Sequence, residues 1–292
     1  MRRLTASLLA ALVASTTLWA GVQWTQQHRA ERPTSLPPPP AGLPAVVAGG
    51  ELRLAELTWP ELQQAIAAGK TTVLVPTGGV EQNGRHMILG KHDHIVAWTA
   101  QHIAAKLGNA LVAPVLSFVP QGGIDPLSGN MRWPGTLNLS PAVFEAVLTD
   151  EITSLKLAGF RRICLIGDHG LSQEPQRRVA ERLSKDWRDE GVVVAQIDDY
   201  YTAANGQERW LLAIGESEAT LGHHAGIEDT AELMALHPSG LRRDWLAIPP
   251  APEDGSDGRP DLASDARGQT LLSLKVEAAV AQIQRLPPLT AR

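Results

Sequence analysis

The sequence is poor in cysteine, and this excludes one way of stabilising the fold. Cys164 is the only cysteine among 292 residues, so no disulfide can form within one chain. It lies in the apolar stretch RRICLIGDHG, where no motif places a base beside it. This context is typical of a buried structural thiol; a nucleophilic role is the alternative.

The sequence also lacks a strong excess of one charge sign and any internal repeat. The chain has 26 Lys and Arg residues against 31 Asp and Glu residues, and neither sign gathers in a tail. This balance excludes a nucleic-acid-binding protein that depends on a basic surface. No repeat period is visible, which excludes a solenoid. The short zinc motif H-E-x-x-H is absent as well, so any metal site must be assembled from separate segments.

The N-terminus carries an uncharged, mostly apolar segment. MRR precedes LTASLLAALVASTTLWAGV, the pattern of a secretory signal. We expect residues 1–24 to be a signal peptide or signal anchor; a core helix is the alternative. Leu18 stands where a small residue is preferred before a cleavage site, so cleavage and anchoring both remain open. Residues 25–50 predict an extended Pro-rich linker. The domain at 51–292 is expected in the periplasm or on the outer side of a membrane.

From about residue 54 the sequence alternates between strand-like and helix-like segments. TTVLVP, NALVAPVLSFV, RRICLIG and VVVAQI are apolar runs, typical of strands that are buried on both faces. The helices between them are marked by Thr58 and Ser140 as N-caps and by Gly69, Gly108 and Gly159 at their C-terminal ends. This alternation predicts an α/β fold with a mostly parallel sheet covered by helices on both faces.

Three polar segments could carry chemistry. VEQNGRHMILGKHDHI follows one predicted strand and GDHG follows another, so both should lie at the same edge of the sheet. The third segment, GHHAGIEDT, has glycines that predict a tight turn. Together they supply the candidate ligands Glu81, His86, His92, Asp93, His94, Asp168, His169, His223, His224, Glu228 and Asp229. Histidine and carboxylate ligands favour a zinc site, and a set of ordinary polar loops is the alternative.

Four segments in order resemble the motifs of the creatininase family of metallohydrolases. They are VPTGGVEQNGRHMILGKH, MRWPGTLNLSP, GFRRICLIGDHG and HHAGIEDTAELMALHP, and DGRPDLASDARGQTLL is similar to the family's C-terminal segment. The resemblance covers about residues 54–285. It implies a three-layer α/β/α sandwich, metal-dependent hydrolysis of an amide-type C–N bond and a homo-oligomer.

The resemblance also identifies departures at the metal ligands. The family binds two ions and commonly bridges them with an aspartate. Here Glu81 and His169 are retained, whereas Asn83, His92 and Leu171 replace a histidine, the bridging aspartate and a glutamate. Leucine cannot bind a metal, an amide is a poor zinc ligand, and an imidazole does not bridge as a carboxylate does. The comparison therefore implies one ion, held by Glu81, His92 and His169. Zinc is expected, with Mn²⁺ or Fe²⁺ as alternatives.

Roles are expected for five further residues, of which His224, His86 and His223 are placed by the resemblance. His224 matches a histidine credited with proton transfer, so it is the expected general acid/base; a structural turn histidine is the alternative. Asp168 is a second catalytic candidate that would orient a metal ligand, with helix capping as its alternative. His86, His223 and Trp133 are expected to line the substrate pocket, although core packing accounts equally well for Trp133.

The sequence thus predicts an exported zinc hydrolase that acts on an amide, cyclic amide or formamide bond of a small molecule. Creatinine itself is not the expected substrate, because the second ion's ligands are not reproduced. Nucleic acid is not an expected partner, and the membrane would be contacted only through an uncleaved N-terminal segment. The alternative is a membrane-tethered, non-catalytic binding or scaffold protein on a degraded hydrolase fold.

Overall fold

A computed structural model describes residues 51–248 and 251–289 of the chain. The expected signal segment, 1–24, and the expected linker, 25–50, lie outside the described residues and stay predictions. Within the described part, no helix combines the length and the apolar character needed to cross a membrane.

The centre of the domain is a four-stranded parallel sheet in the order β2-β1-β3-β4. Its strands are β1 (Thr72–Thr77), β2 (Ala110–Val112), β3 (Arg162–Gly167) and β4 (Val193–Gln196). Strand β2 is shorter than the apolar run NALVAPVLSFV suggested. Pro114 follows it and has no N–H to continue the ladder, although Leu116 still donates to the Pro76 carbonyl of β1 at 3.0 Å.

Helices cover both faces of the sheet. One face packs against α1 (Trp59–Ala67), α3 (Pro141–Ala158) and α4 (Gln173–Asp186), and the other against α2 (Lys91–Leu107) and α9 (Asp265–Arg285). The described residues also form four shorter α-helices: α5 (Gln207–Ala213), α6 (Glu218–Leu221), α7 (Ile227–Leu236) and α8 (Arg243–Leu246). The predicted ends hold, since Thr58 and Ser140 are N-caps and Gly108 and Gly159 end their helices with left-handed backbone.

Two apolar cores form because successive strand residues point to opposite faces. Val73 and Val75 contribute to the core against α1, α3 and α4, whereas Leu74 contributes to the core against α2 and α9. This arrangement confirms the predicted three-layer α/β/α fold. Cys164 is fully buried in the second core, and burial raises the pKa of its thiol to about 12, as expected for a structural cysteine.

Helix α2 begins within the histidine-rich segment, which the sequence indicated only as a polar segment after a strand. The helix starts at Lys91, so His92 lies in its first turn. The Gly79 amide donates to Asp93 Oδ1 at 2.9 Å and ties this turn to the loop after β1. The first turn of α2 is therefore held against the carboxyl edge of the sheet.

Candidate metal centre

Three buried side chains meet where β1 and β3 end. Glu81 comes from the loop after β1, His92 from the first turn of α2, and His169 from the segment directly after β3. Glu81 Oε1 lies 2.9 Å from His92 Nε2, and Glu81 Oε2 lies 2.8 Å from His169 Nε2. One ligand atom from each residue lies within 4.8 Å of the other two. The fold thus brings the three sequence-predicted ligands together.

The donor set fits a single divalent ion. Two imidazole nitrogens and one carboxylate are a known catalytic zinc set that leaves one position for water. Asn130 donates to Glu81 Oε2 and holds the carboxylate in place. His169 Nδ1 is buried and has no hydrogen-bond partner within the described residues, whereas its Nε2 is the nitrogen that faces Glu81.

Asp168 orients His92 from behind. Asp168 Oδ2 lies 2.9 Å from His92 Nδ1, and because a carboxylate only accepts, Nδ1 carries a proton. The Tyr200 hydroxyl donates to Asp168 Oδ1 at 2.8 Å, and Lys275 Nζ donates to the same oxygen at 3.0 Å. Helix capping, the alternative for Asp168, is not what its side chain does. The direct contact with His92 matches the expected orienting role.

The charges around the centre shift its pKa values strongly. Burial disfavours the charged imidazole of His92, and so does Lys91, but Glu81 and Asp168 outweigh them and raise its pKa to about 9. Burial would raise the pKa of Glu81, yet the neighbouring His92 and His169 lower it far below its usual range. Glu81 is therefore an anion at neutral pH, as a metal ligand must be.

The positions that would serve a second ion contribute no ligand to this group. Asn83 is buried, and its amide nitrogen donates to the backbone carbonyls of Glu81, Ile88 and Leu89 at 3.0, 3.1 and 3.2 Å. It thereby braces the turn that carries Glu81. Leu171 is 50% exposed and lies on a cavity wall. Within the described residues, the potential metal-binding group consists of Glu81, His92 and His169.

His224 lies beside the three ligands on a tight turn. The turn is held by Asp257 Oδ1, which accepts from the amides of His223 and His224 at 2.8 Å each. His224 Nε2 contacts the Gln82 carbonyl at 3.0 Å, and Nδ1 lies 3.9 Å from Glu81 Oε1. Burial and Lys91 lower the pKa of His224. A neutral imidazole that can accept a proton thus stands next to the centre.

A cavity of about 430 Å³ opens over the centre. Besides the three ligands, its walls include Asp168, Leu171, Tyr201, His223, His224 and Glu228. The predicted pocket residue His223 lies on this wall.

Two predicted pocket residues do not line this cavity. His86 is buried elsewhere, its Nε2 lies 2.9 Å from Thr230 Oγ1, and burial and Lys91 lower its pKa to about 4. Trp133 is half-buried and lies outside the cavity wall. Substrate contact by these two residues stays a prediction from sequence alone.

Sequence reasoning missed several residues that support the ligands. The sequence pattern could have indicated Lys275, because this lone lysine interrupts the apolar stripe formed by Leu271, Leu272 and Val276 of α9. A lysine at a buried helix position needs a charged partner, which the sequence could have prompted us to seek. Asn130 gave no comparable signal, since it lies in an irregular segment among other polar residues.

Comparisons with known proteins agree with this geometry. The family profile Creatininase, described as creatinine amidohydrolase, matches residues 55–283. Creatinine amidohydrolase of Pseudomonas putida is 26% identical over 258 residues, which cover 80% of this chain and 96% of that protein. Mycofactocin precursor peptide peptidase of Mycolicibacterium smegmatis is 27% identical over 221 residues, covering 74% and 85%. A crystal structure of creatinine amidohydrolase superposes with a TM-score of 0.66 at 25% identity, covering 82% of this chain and 99% of that one.

Proposed function

The chain belongs to the creatininase family of metal-dependent amidohydrolases, and on this premise we propose that it hydrolyses a C–N bond of a small amide-type substrate with one zinc ion. Glu81, His92 and His169 would hold the ion. One observation carries the proposal: these three side chains converge at the carboxyl edge of the sheet, under an open cavity. In parallel α/β folds this edge is where ligands bind.

The residues around the centre suit hydrolysis of an amide. Zinc bound by such ligands lowers the pKa of its water and polarises a substrate carbonyl. His224, neutral and 3.9 Å from Glu81, is placed to take up a proton and to pass it to the departing nitrogen. Gln82 holds the His224 ring through its carbonyl, at 3.0 Å. Leu171 and Tyr201 give the cavity apolar surface that would exclude water from the substrate.

We propose lactams, N-formyl compounds and short peptides as the substrate class. A cavity of about 430 Å³ has the size of a small-molecule pocket. A relative named as a peptidase supports peptide-like substrates. Creatinine is not proposed, because Asn83 and Leu171 occupy the positions of two further metal ligands in the family and neither binds zinc well.

The proposal includes two features that rest on sequence alone. The apolar segment 1–24 would export the domain to the periplasm or to the outer face of a membrane, and the family resemblance suggests a homo-oligomer. A fusion of residues 1–45 to a reporter that works only after export tests the first feature, and an inactive fusion that stays in the cytoplasm would refute it. Sedimentation of the purified protein tests the second, and a monomer would refute it.

Metal depletion and reconstitution test the central proposal. The purified chain should contain about one zinc, lose hydrolytic activity on chelation, and regain it with zinc. Mn²⁺ and Fe²⁺ should be added in parallel, because the better restoring ion identifies the metal. A screen of lactams, N-formyl compounds and dipeptides provides the activity. A protein whose melting temperature responds to neither zinc nor chelator, and which hydrolyses nothing in the screen, would instead be the scaffold protein.

A further inference from the structure

Lys275 is a buried charge that the proposed reaction does not use. Its side chain is only 6% exposed, and Nζ donates to Asp168 Oδ1 at 3.0 Å and to Glu232 Oε2 at 2.9 Å. Removing an ammonium group from water costs several kcal/mol, and the cost is offset only by well-placed partners. Hydrophobic residues of similar size in place of the whole group Asp168, Lys275 and Glu232 would often stabilise a fold as well or better, so stability alone does not account for this buried ion group.

Both partners of Lys275, Asp168 and Glu232, make further hydrogen bonds. Glu232 Oε1 accepts from the Gln207 amide at 2.5 Å, so both oxygens of Glu232 are engaged. On the other side, the Tyr200 hydroxyl lies 2.9 Å from Thr99 Oγ1 and donates to Asp168 Oδ1 at 2.8 Å. Satisfied networks of this kind are rigid, because any rotation leaves a buried polar atom without a partner.

The network ends at a metal ligand. Two donors, Lys275 and Tyr200, occupy Asp168 Oδ1, which leaves Oδ2 to accept from His92 Nδ1 at 2.9 Å. An imidazole has two different nitrogens, and only the one without a proton can bind a metal ion. Asp168 keeps a proton on Nδ1, so Nε2, which faces Glu81, is the nitrogen that would release its proton to bind an ion.

We propose that Lys275 is a positioning residue of the metal centre, which fixes the Asp168 carboxylate and through it the tautomer and ring orientation of His92. The inference rests on the proposed metal site at Glu81, His92 and His169. Helix α9 would thereby take part in metal binding although it supplies no ligand. Lys275 and Asp168 are 107 positions apart in the sequence.

Zinc affinity of matched variants tests the inference. Lys275→Met alone leaves two buried carboxylates without a counter-charge and is at risk of misfolding. Lys275→Met combined with Glu232→Gln removes one positive and one negative charge together. Glu232→Gln alone is the control, because it keeps the contact between Lys275 and Asp168. The zinc dissociation constant is measured on metal-depleted full-length protein by competition with a chelator.

The double variant should bind zinc about 10–100-fold more weakly than the Glu232→Gln control. The control should stay close to the unaltered protein. Equal zinc affinity in the double variant and the control would overturn the inference and leave the metal site intact. Absence of zinc binding in the unaltered protein would refute the proposed function and the inference with it.

A spectroscopic readout on the unaltered protein keeps the test independent of folding. In the zinc-loaded protein with ¹⁵N-labelled histidine, His92 should show a strongly hydrogen-bonded proton on Nδ1 and zinc on Nε2. The Nδ1 proton signal should weaken in the double variant and persist in the control. Zinc on Nδ1 of His92 in the unaltered protein, or an unchanged signal in the double variant, would contradict the proposed role of Lys275.

Discussion

The two faces of the sheet differ in the residues that they bury. The face covered by α1, α3 and α4 has an apolar core in which Phe144, Leu148 and Ile152 are fully buried. The face covered by α2 and α9 has a similar apolar core but also buries Tyr200 and Lys275, which contact Asp168 beside His92. The first face stabilises the sheet, whereas the second also places charges at the edge where the cavity opens. Substitutions on the two faces should therefore separate stability from metal binding.

Removal of a ligand should have the largest effect. His92→Ala or His169→Ala should each empty the site, because two protein ligands do not hold zinc in competition with a chelator. Elemental analysis should show a change from about one zinc per chain to none, with hydrolysis lost. Asn83→Ala is the matched control: it should keep the metal because Asn83 is not among the three ligands, although the loss of its hydrogen bonds to the Glu81 turn should lower stability. Two zinc ions in the unaltered protein, or zinc retained by His92→Ala, would break the one-ion proposal.

His224→Ala should reduce turnover without removing the metal. Loss of a general acid/base costs about 10²–10⁴-fold in rate. His224 is not one of the three converging ligands, so zinc content should be unchanged. Steady-state kinetics and elemental analysis on the same preparation check both points. Loss of zinc together with activity would show that His224 is a ligand.

Phe144→Ala should lower stability without changing metal binding. Phe144 is fully buried in the apolar core, so truncation should lower the free energy of unfolding by about 3–5 kcal/mol. Zinc content at 25 °C should stay at the level of the unaltered protein, because Phe144 is neither one of the three ligands nor part of the cavity wall. Urea unfolding and elemental analysis provide the measurements. A folded variant that has lost its zinc would show that the two faces do not act separately.

The free energy of unfolding should depend on pH in part through the protonation of His86. Its native pKa of about 4 is below the unfolded value of 6.5, so its contribution is fully present above pH 6.5 and is lost as pH falls through 4. The 2.5-unit difference corresponds to at most about 3 kcal/mol. His86→Gln should remove this part of the acid sensitivity, as seen by urea unfolding at pH 7 and near pH 4. Identical pH dependence in both proteins would mean that His86 is not held neutral.

Local patterns were enough for most of the fold. Ser140 and Gly159 mark the ends of α3 because caps and left-handed glycines act within one helical turn. The apolar runs of β1 and β3 indicated strands buried on both faces, and parallel pairing then placed Glu81 and His169 at one edge. The start of α2 at Lys91 and the short β2 were not predicted, since helix ends and strand lengths depend on neighbouring segments.

The sequence by itself therefore determined the parallel sheet, the ends of α3 and, with the family resemblance, the three ligands that meet at the edge of the sheet. Only the tertiary structure decided that His86 and Trp133 lie off the cavity wall, and that Asp168 contacts His92 instead of capping a helix. It also decided that Lys275 reaches Asp168. Helix and strand signals act over a few neighbouring residues, whereas electrostatic and hydrogen-bond energies depend on distance in space. The packing of helix α9 sets the distance between Lys275 and Asp168.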